Sequence, residues 1–570
     1  MRINCFSLGA GLSVALFLAA CGGGGGGGGS TGGGSATPAP APEPAPAPAP
    51  VVITAPEAAR LAKQASFGPT TGLIDRIVAL KSASAWIDEQ FTLSSSTYAD
   101  IAAKPVAVNT CGALTGQDLT NCNRDNFSAL PMAMRFYANS LGQDDQLRQR
   151  VAFALSQIVV ASDLEVHTTS GLATFNQILL SNAFGNYRDI LAQVTLNPFM
   201  GNYLDMVDSN KSSPNENYAR ELMQLFSVGT VLLNQDGATK AGADGAVIAT
   251  YSGADVKDVA RAISGWTYAR LDGAAISDYN KIDYSKPMVM VASRFDTGAK
   301  TFLGTTIPAT ATQQQNVDAV VDALFNHANT APFVSKRLIQ QLVIANPSPA
   351  YVGRVSAVFA NNGSGVRGDM KAVIKAILTD TEARGSAATP GKVKEPVLFL
   401  TSLGRALGLK SDGYAFYYRD NALGQMPFRA TSVFNFYPYD FPLPLGDGPV
   451  SPASKLMTTS TLIARHNLAF DWTLSGEQTL NDFKAQAAIS GSTGTTTAWA
   501  DWEALAVDES KLLDRLDLVF LNGTMTSAQR NALSSAMAAV KNSDPTVQAH
   551  RRAQTALYIV ASSPQFQVDR

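Results

Sequence analysis

The chain has 570 residues, a formal net charge of −2, and only 16% charged residues. So weak a field draws neither a nucleic-acid backbone nor an anionic lipid surface, and no nucleic-acid partner is expected. The length suffices for two or three ordinary domains or one large one.

The first twenty residues set the address. Arg2 supplies a thin positive start, and Phe6 to Ala20 is an uncharged, mostly apolar run ending in "LAAC", Leu18 to Cys21. That run is too short for a permanent membrane helix and has the small residues of a processing site, so residues 1–20 read as a secretory signal. "LAAC" resembles the bacterial lipobox, which implies cleavage before Cys21 and its lipidation by several acyl chains, enough for stable anchoring. Gly22 follows, where an aspartate would suggest inner-membrane retention, so the outer membrane or cell surface is the expected location. The alternative is a soluble secreted protein in which Cys21 is incidental.

Residues 21–50 read as a disordered tether. Eight consecutive glycines precede an Ala-Pro alternation; the first is flexible coil, and the second favours polyproline II at about 3.1 Å per residue, a spacer roughly 40 Å long. No second linker and no internal repeat follows. Residues 51–570 therefore read as one large body, mainly α, multi-helical, with a minor β-hairpin.

Helix starts recur along that body. Thr54 with Glu57, Ser213 with Glu216 and Ser252 with Asp255 have capping-box spacing, and Pro214 suits a first helical turn. Runs such as "DQLRQRVAFALSQIVVAS", "FVSKRLIQQLV" and "DMKAVIKAIL" repeat apolar residues every three or four positions, and "ATSVFNF" is a weaker helical candidate. Cys111 and Cys122 lie in a polar loop of an exported chain and are expected to form a disulfide, a metal pair being the alternative. Met288 to Gly304, rich in β-branched and aromatic residues around a Thr-Gly pair, predicts the hairpin.

Three features carry candidate chemistry. In "SSPNENYARELMQLFSVG", a Ser213 cap accounts for Glu216, and four-residue spacing stacks Glu216 over Arg220 and Asn217 over Glu221. With Asp205 and Asp208 just upstream, Glu221 could form an acid and base pair oriented by Asn215, Asn217 and Arg220, or a set of oxygen ligands for Ca²⁺; the bland account is a buried polar network. Second, "GQMPFRATSVFNFYPYDFPLPLG" gathers Phe428, Phe434, Phe436, Tyr437, Tyr439 and Phe441, a stacking platform for sugar rings if exposed and a packed loop if buried. Third, His167, His327, His466 and His550 are scattered without ligand spacing, so no metal site is expected. Neither G-x-S-x-G nor a phosphate-binding glycine loop is present.

The stretches "RLAKQASFGPT", "NPFMGNYLD", "PNENYARELMQLFSVG", "DVKDVARAISGWT", "FDTGAKTFLG", "HANTAPFVSKRLIQQLV", "GQMPFRATSVFNFYP" and "RAQTALYIVASSPQF" resemble the bacterial family catalogued as domain of unknown function 1800. The resemblance runs from about Ala58 to the C-terminus. It implies an exported, mainly helical protein, no established activity or cofactor, and a co-exported partner resembling sulfatases and alkaline phosphatases. Many members carry His where this chain has Phe226, and His before Asp where it has Phe295 before Asp296. The Val231 to Thr250 link is also longer than usual.

Two functions are expected from this reading. One is a carboxylate-dependent hydrolase or lyase on an extracellular polymer such as polysaccharide, using Glu221 with Asp205 or Asp208. The other is a non-catalytic binding or assembly lipoprotein that holds the sulfatase-like partner.

Overall fold

Thr54 opens the first helix, α1 (Ala55–Ala65), as the capping box requires: the Glu57 amide donates to Thr54 Oγ1 at 3.4 Å and the Thr54 amide to Glu57 Oε2 at 2.8 Å. This computed structural model describes residues 52–385, 391–443, 449–475 and 480–569. The signal-peptide, Cys21 and tether readings lie outside them. The described residues hold twenty-four α-helices and five two-stranded antiparallel sheets, a mainly α body as expected. None of these helices is long and apolar enough to cross a membrane.

One apolar core runs from Ile53 to Phe566. α1 packs on α2 (Gln146–Ser156) and on the turn after Leu516. The Phe67, Phe136 and Phe153 rings meet there at 5.3 to 5.9 Å between centroids. Burying each such ring contributes about 1.5–3 kcal/mol. The C-terminal strand β4 (Val568–Asp569) pairs with β3 (Lys392–Val393), so the chain end closes on the middle of the sequence. Beside it the buried Lys63 ammonium donates to the Phe520 carbonyl at 2.6 Å, tying α1 to the C-terminal region.

Cys111 and Cys122 are bonded, with Cα atoms 5.8 Å apart. Closing this short loop contributes on the order of 3 kcal/mol in the chain-entropy account.

The hairpin begins at the end of the predicted stretch, Met288 to Gly304, and its second strand lies beyond it. β1 (Lys300–Phe302) pairs with β2 (Thr305–Ile307) through Leu303 at φ 48° and Gly304 at φ 74°. Two consecutive left-handed residues give the twist a tight hairpin needs. Val289–Met290 instead pairs back onto Trp266–Thr267.

Two local expectations fail. Ser213 does not cap a helix: its amide closes a turn on the Asn210 carbonyl at 2.9 Å, and α3 begins at Asn217 (Asn217–Gln224). The cause is Asn215, whose side-chain oxygen takes the Asn217 amide at 2.9 Å, an Asx turn that outcompetes the proline-led start. "ATSVFNF" is not helical either. It belongs to an irregular loop after Gly424, with Phe428 at φ 67° and Asn435 at φ 66°.

α3 buries Tyr218, Leu222 and Met223 and packs against α4 (Gly253–Ala262), whose Ser252–Asp255 box is formed. It stops where the Gly229 amide reaches the Met223 carbonyl at 3.0 Å with Gly229 at φ 71°. The long 231–250 link then folds as an antiparallel arm, Leu232 donating to Ile248 and Lys240 to Leu232. α5 (Thr330–Leu342) packs against α2 and the following helix, Pro349–Ala360.

Candidate functional site

The predicted carboxylate cluster divides into separate arrangements. Asp205 is exposed at φ 57° and its Oδ2 accepts Asn217 Nδ2 at 2.6 Å. The Asn217 side chain thus turns to Asp205 and makes no hydrogen bond with the Glu221 carboxyl. Glu216 accepts Arg220 Nη2 at 2.9 Å, the i,i+4 pair expected from spacing. Asp208, at φ 62°, is clamped by Arg294 on Oδ1 and by the Tyr279 hydroxyl at 2.7 Å on Oδ2. Asn215 serves the Asx turn, and its own amide donates to Ser209 Oγ at 3.0 Å.

Glu221 stands apart. It is half-buried on α3, and its Oε2 is enclosed with no hydrogen-bond partner among the described residues. Burial pushes its carboxyl above the usual range, opposed by the Arg220 charge. Its charge in turn helps to raise the Tyr203 and Tyr251 hydroxyls, mainly raised by their own burial.

The aromatic loop also splits. Phe434 is 53% exposed, whereas Phe436 is half-buried and Tyr437 is enclosed at 4% exposure. The Tyr437 hydroxyl lies 2.9 Å from Glu395 Oε2 and 3.1 Å from Gln157 Oε1. Tyr439 donates to the Gln157 carbonyl at 2.8 Å. Of the expected platform, only Phe434 offers a largely open ring.

A cavity of about 530 Å³ joins segments that are remote in sequence. Gln224 and Leu225 of the signature helix reach it, with Gly229 and Thr230 after the helix stop. α5 contributes Phe333, Lys336 and Arg337, and the aromatic loop contributes Phe434, Asn435, Pro438, Tyr439 and Asp440. Gln157 and residues of the 231–239 arm complete the lining. Gly229 is required at this junction, since a Cβ there would stand 2.9 Å from the Phe333 ring.

Arg337 organises the wall. Its guanidinium lies 4.2 Å from the Tyr439 ring centroid and 5.2 Å from that of Phe333, and donates to Gln340 Oε1 at 3.2 Å. Burial lowers its pKa and that of Lys336, and for Lys336 the neighbouring Arg337 charge adds to the effect. Glu221, Asp205 and Asp208 are not among the lining residues.

A family model described as "Protein of unknown function (DUF1800)" matches residues 60–568. The chain belongs to that family. Neither a curated protein nor a solved structure matches it. At the two positions where the resemblance implies His in many members, this DUF1800 chain has packed phenylalanine rings: Phe226 is fully buried and Phe295 is 6% exposed under the Lys300 ammonium. Asp296 beside it is bound by Arg261 at 2.9 Å and 3.2 Å, which with the Gly298 amide holds its carboxyl below the usual range despite burial. Among the described residues, no group of three His, Cys, Asp or Glu side chains is placed to hold a metal ion.

Sequence reasoning missed Gln157, Lys336, Arg337 and Asp440. The one available signal was the Lys-Arg pair set inside the apolar stripe of "FVSKRLIQQLV", where a surface helix would place its charges on the opposite face.

Proposed function

We propose that the protein is an envelope-anchored binding lipoprotein that takes a segment of an extracellular polymer, such as polysaccharide, into the cavity between α3, α5 and the aromatic loop. The observation that carries this reading is the convergence of three signature stretches on one hollow. That hollow has an open phenyl ring, Phe434, and the half-buried side-chain amide of Gln224, while the buried amides of Gln157 and Asn435 bond to each other at 3.1 Å and stiffen its wall. Sugar rings stack on aromatic faces while their hydroxyls pair with amides. The lipidated Cys21 and Gly/Pro tether read from the sequence would hold this body at the outer membrane or cell surface. A co-exported sulfatase-like protein would then act on polymer so held.

Binding is favoured over hydrolysis because glycosidic cleavage uses two carboxylates flanking the bond. Among the described lining residues Asp440 is the single carboxylate. A second reading, the carboxylate-dependent hydrolase or lyase, draws on one observation: the unpartnered Oε2 of Glu221, whose raised pKa suits a general acid with Asp205 or Asp208 as counterpart.

A glycan panel with the full chain separates the two. Phe434→Ala is expected to weaken oligosaccharide binding about tenfold, the worth of one stacked ring at ~1–1.5 kcal/mol. Glu221→Gln should bind as the wild type does. Release of new reducing ends by the wild type and not by Glu221→Gln would replace the binding reading with the hydrolytic one, and failure to bind any glycan would end both.

A further inference from the structure

We infer that the polymer unit seated in this cavity carries an anionic substituent, a carboxylate or a sulfate ester, received by Arg337 and Lys336. This deepens the polymer-binding reading and rests on it. The two cations are consecutive on α5 and both line the hollow. Neither has an ion-pair partner within 4 Å among the described residues, although twenty-one such pairs occur elsewhere in them. Among the described residues the Arg337 side chain makes a single hydrogen bond, to the neutral Gln340, which leaves most of its five N–H donors without a partner there.

A guanidinium held in this way is costly unless something answers it, since it cannot shed its proton. The Tyr439 and Phe333 faces offset part of that cost and fix the plane of the fork. A fixed planar fork matches the paired oxygens of a carboxylate or sulfate. Asp440, the acid among the lining residues, lies within the field of Arg337 but makes no ion pair with it and is exposed, where water screens it. Asp236 also lies within the field of Lys336, but its Oδ1 is committed to the Ala238 amide at 2.9 Å. The enclosed wall is therefore cationic and the acid sits at the edge, an order that favours an anion entering group-first.

The test uses the full chain and matched pairs of oligosaccharides in calorimetric titration: oligogalacturonates against their methyl esters, and sulfated galactan oligosaccharides against the desulfated backbone. One anionic member should bind at least tenfold more tightly than its neutral partner at low salt, and which pair shows the gap tells carboxylate from sulfate. The gap should shrink with added sodium chloride. It should fall several-fold in Lys336→Gln, nearly vanish in Arg337→Gln, and be only partly kept in Arg337→Lys, which retains the charge without the fork; unchanged melting temperatures of the variants guard against loss of packing as the cause. Equal binding of charged and neutral members, or a gap that survives both glutamine variants, would overturn the anionic assignment while leaving the polymer reading intact. No binding by any member would remove the two together.

Discussion

Gly229→Val is expected to lower the stability of the body by roughly 3 kcal/mol and to abolish uptake into the cavity. Gly229 sits at φ 71°, where it ends α3 by sending its amide to the Met223 carbonyl. A β-branched residue in the left-handed region costs on the order of 1–2 kcal/mol from backbone sterics alone. The new Cβ would also meet Cδ2 and Cε2 of Phe333 at 2.9 Å, closer than real contacts allow. Phe333 cannot retreat freely, because its ring carries the Arg337 guanidinium at 5.2 Å. The strain therefore passes into the wall that positions Arg337 and Tyr439. Denaturant unfolding should show the loss, with Gly229→Ala intermediate. A valine variant as stable as the wild type would mean that this junction is not tightly packed.

Raising the pH from about 4 to about 8 is expected to destabilise the body, and Asp420→Asn should remove a large part of that loss. Asp420 is buried, its Oδ2 accepts the Tyr137 hydroxyl at 3.1 Å and its Oδ1 has no partner. Burial pushes its pKa up from 3.8 to about 8, against the lowering effect of Tyr137 and Arg429. Asp163, also buried, is pushed up to about 7 by the same cause, with Arg429 Nε 3.9 Å away. A carboxyl whose pKa is raised on folding binds more protons in the folded chain than in the unfolded one. Its contribution is then complete below the unfolded value of 3.8 and is lost as pH climbs through the folded value.

Wild type and Asp420→Asn should therefore match near pH 4 and diverge up to pH 8 or 9, the variant then being more stable by on the order of 1–3 kcal/mol after allowance for relaxation. Melting temperatures across that range give the answer, and parallel curves would contradict it. The effect also bears on binding. The Asp163 amide donates to the Phe428 carbonyl at 2.9 Å and Ser162 Oγ to that of Ala430 at 2.7 Å, so this cluster pins the base of the loop that carries Phe434.

What could be read in advance follows the range of the forces involved. The Thr54–Glu57 and Ser252–Asp255 boxes form because each depends on four consecutive residues. The Glu216–Arg220 pair, four residues apart, was legible for the same reason, and the Cys111–Cys122 bond was legible from two cysteines close in sequence in a polar loop. Ser213 failed because local devices competed: Ser209 Oγ took the Asn215 amide that a serine cap could have used, and the Asx turn at Asn215 started the helix later, at Asn217. Tyr437 and Phe434 look alike in sequence. Only the approach of Glu395 and Gln157 makes one a buried hydrogen-bonding group and the other an open ring. Arg337 was hidden for a similar reason, since its importance comes from α5 meeting the aromatic loop about a hundred residues later.

The acidic stretch that drew attention first serves largely as architecture. Asp208 joins the 205–210 turn to Arg294 and Tyr279, and Asp205 holds Asn217 at the start of α3. Glu221 is the acid of that stretch with an enclosed carboxyl oxygen that has no hydrogen-bond partner among the described residues. The acidic half of this signature stretch thus positions a wall, and the groups that face the hollow come from its C-terminal end, Gln224, Leu225 and Gly229, and from Thr230 just after it.

Hydrogen–deuterium exchange on the full chain, with and without the tightest-binding oligosaccharide of the panel, tests the central claim most directly. The account predicts slowed exchange in three separated peptides, those spanning 224–239, 333–340 and 433–440, together and to a similar extent. Protection confined to 205–221, with those three peptides unchanged, would contradict it and return the site to the acidic cluster.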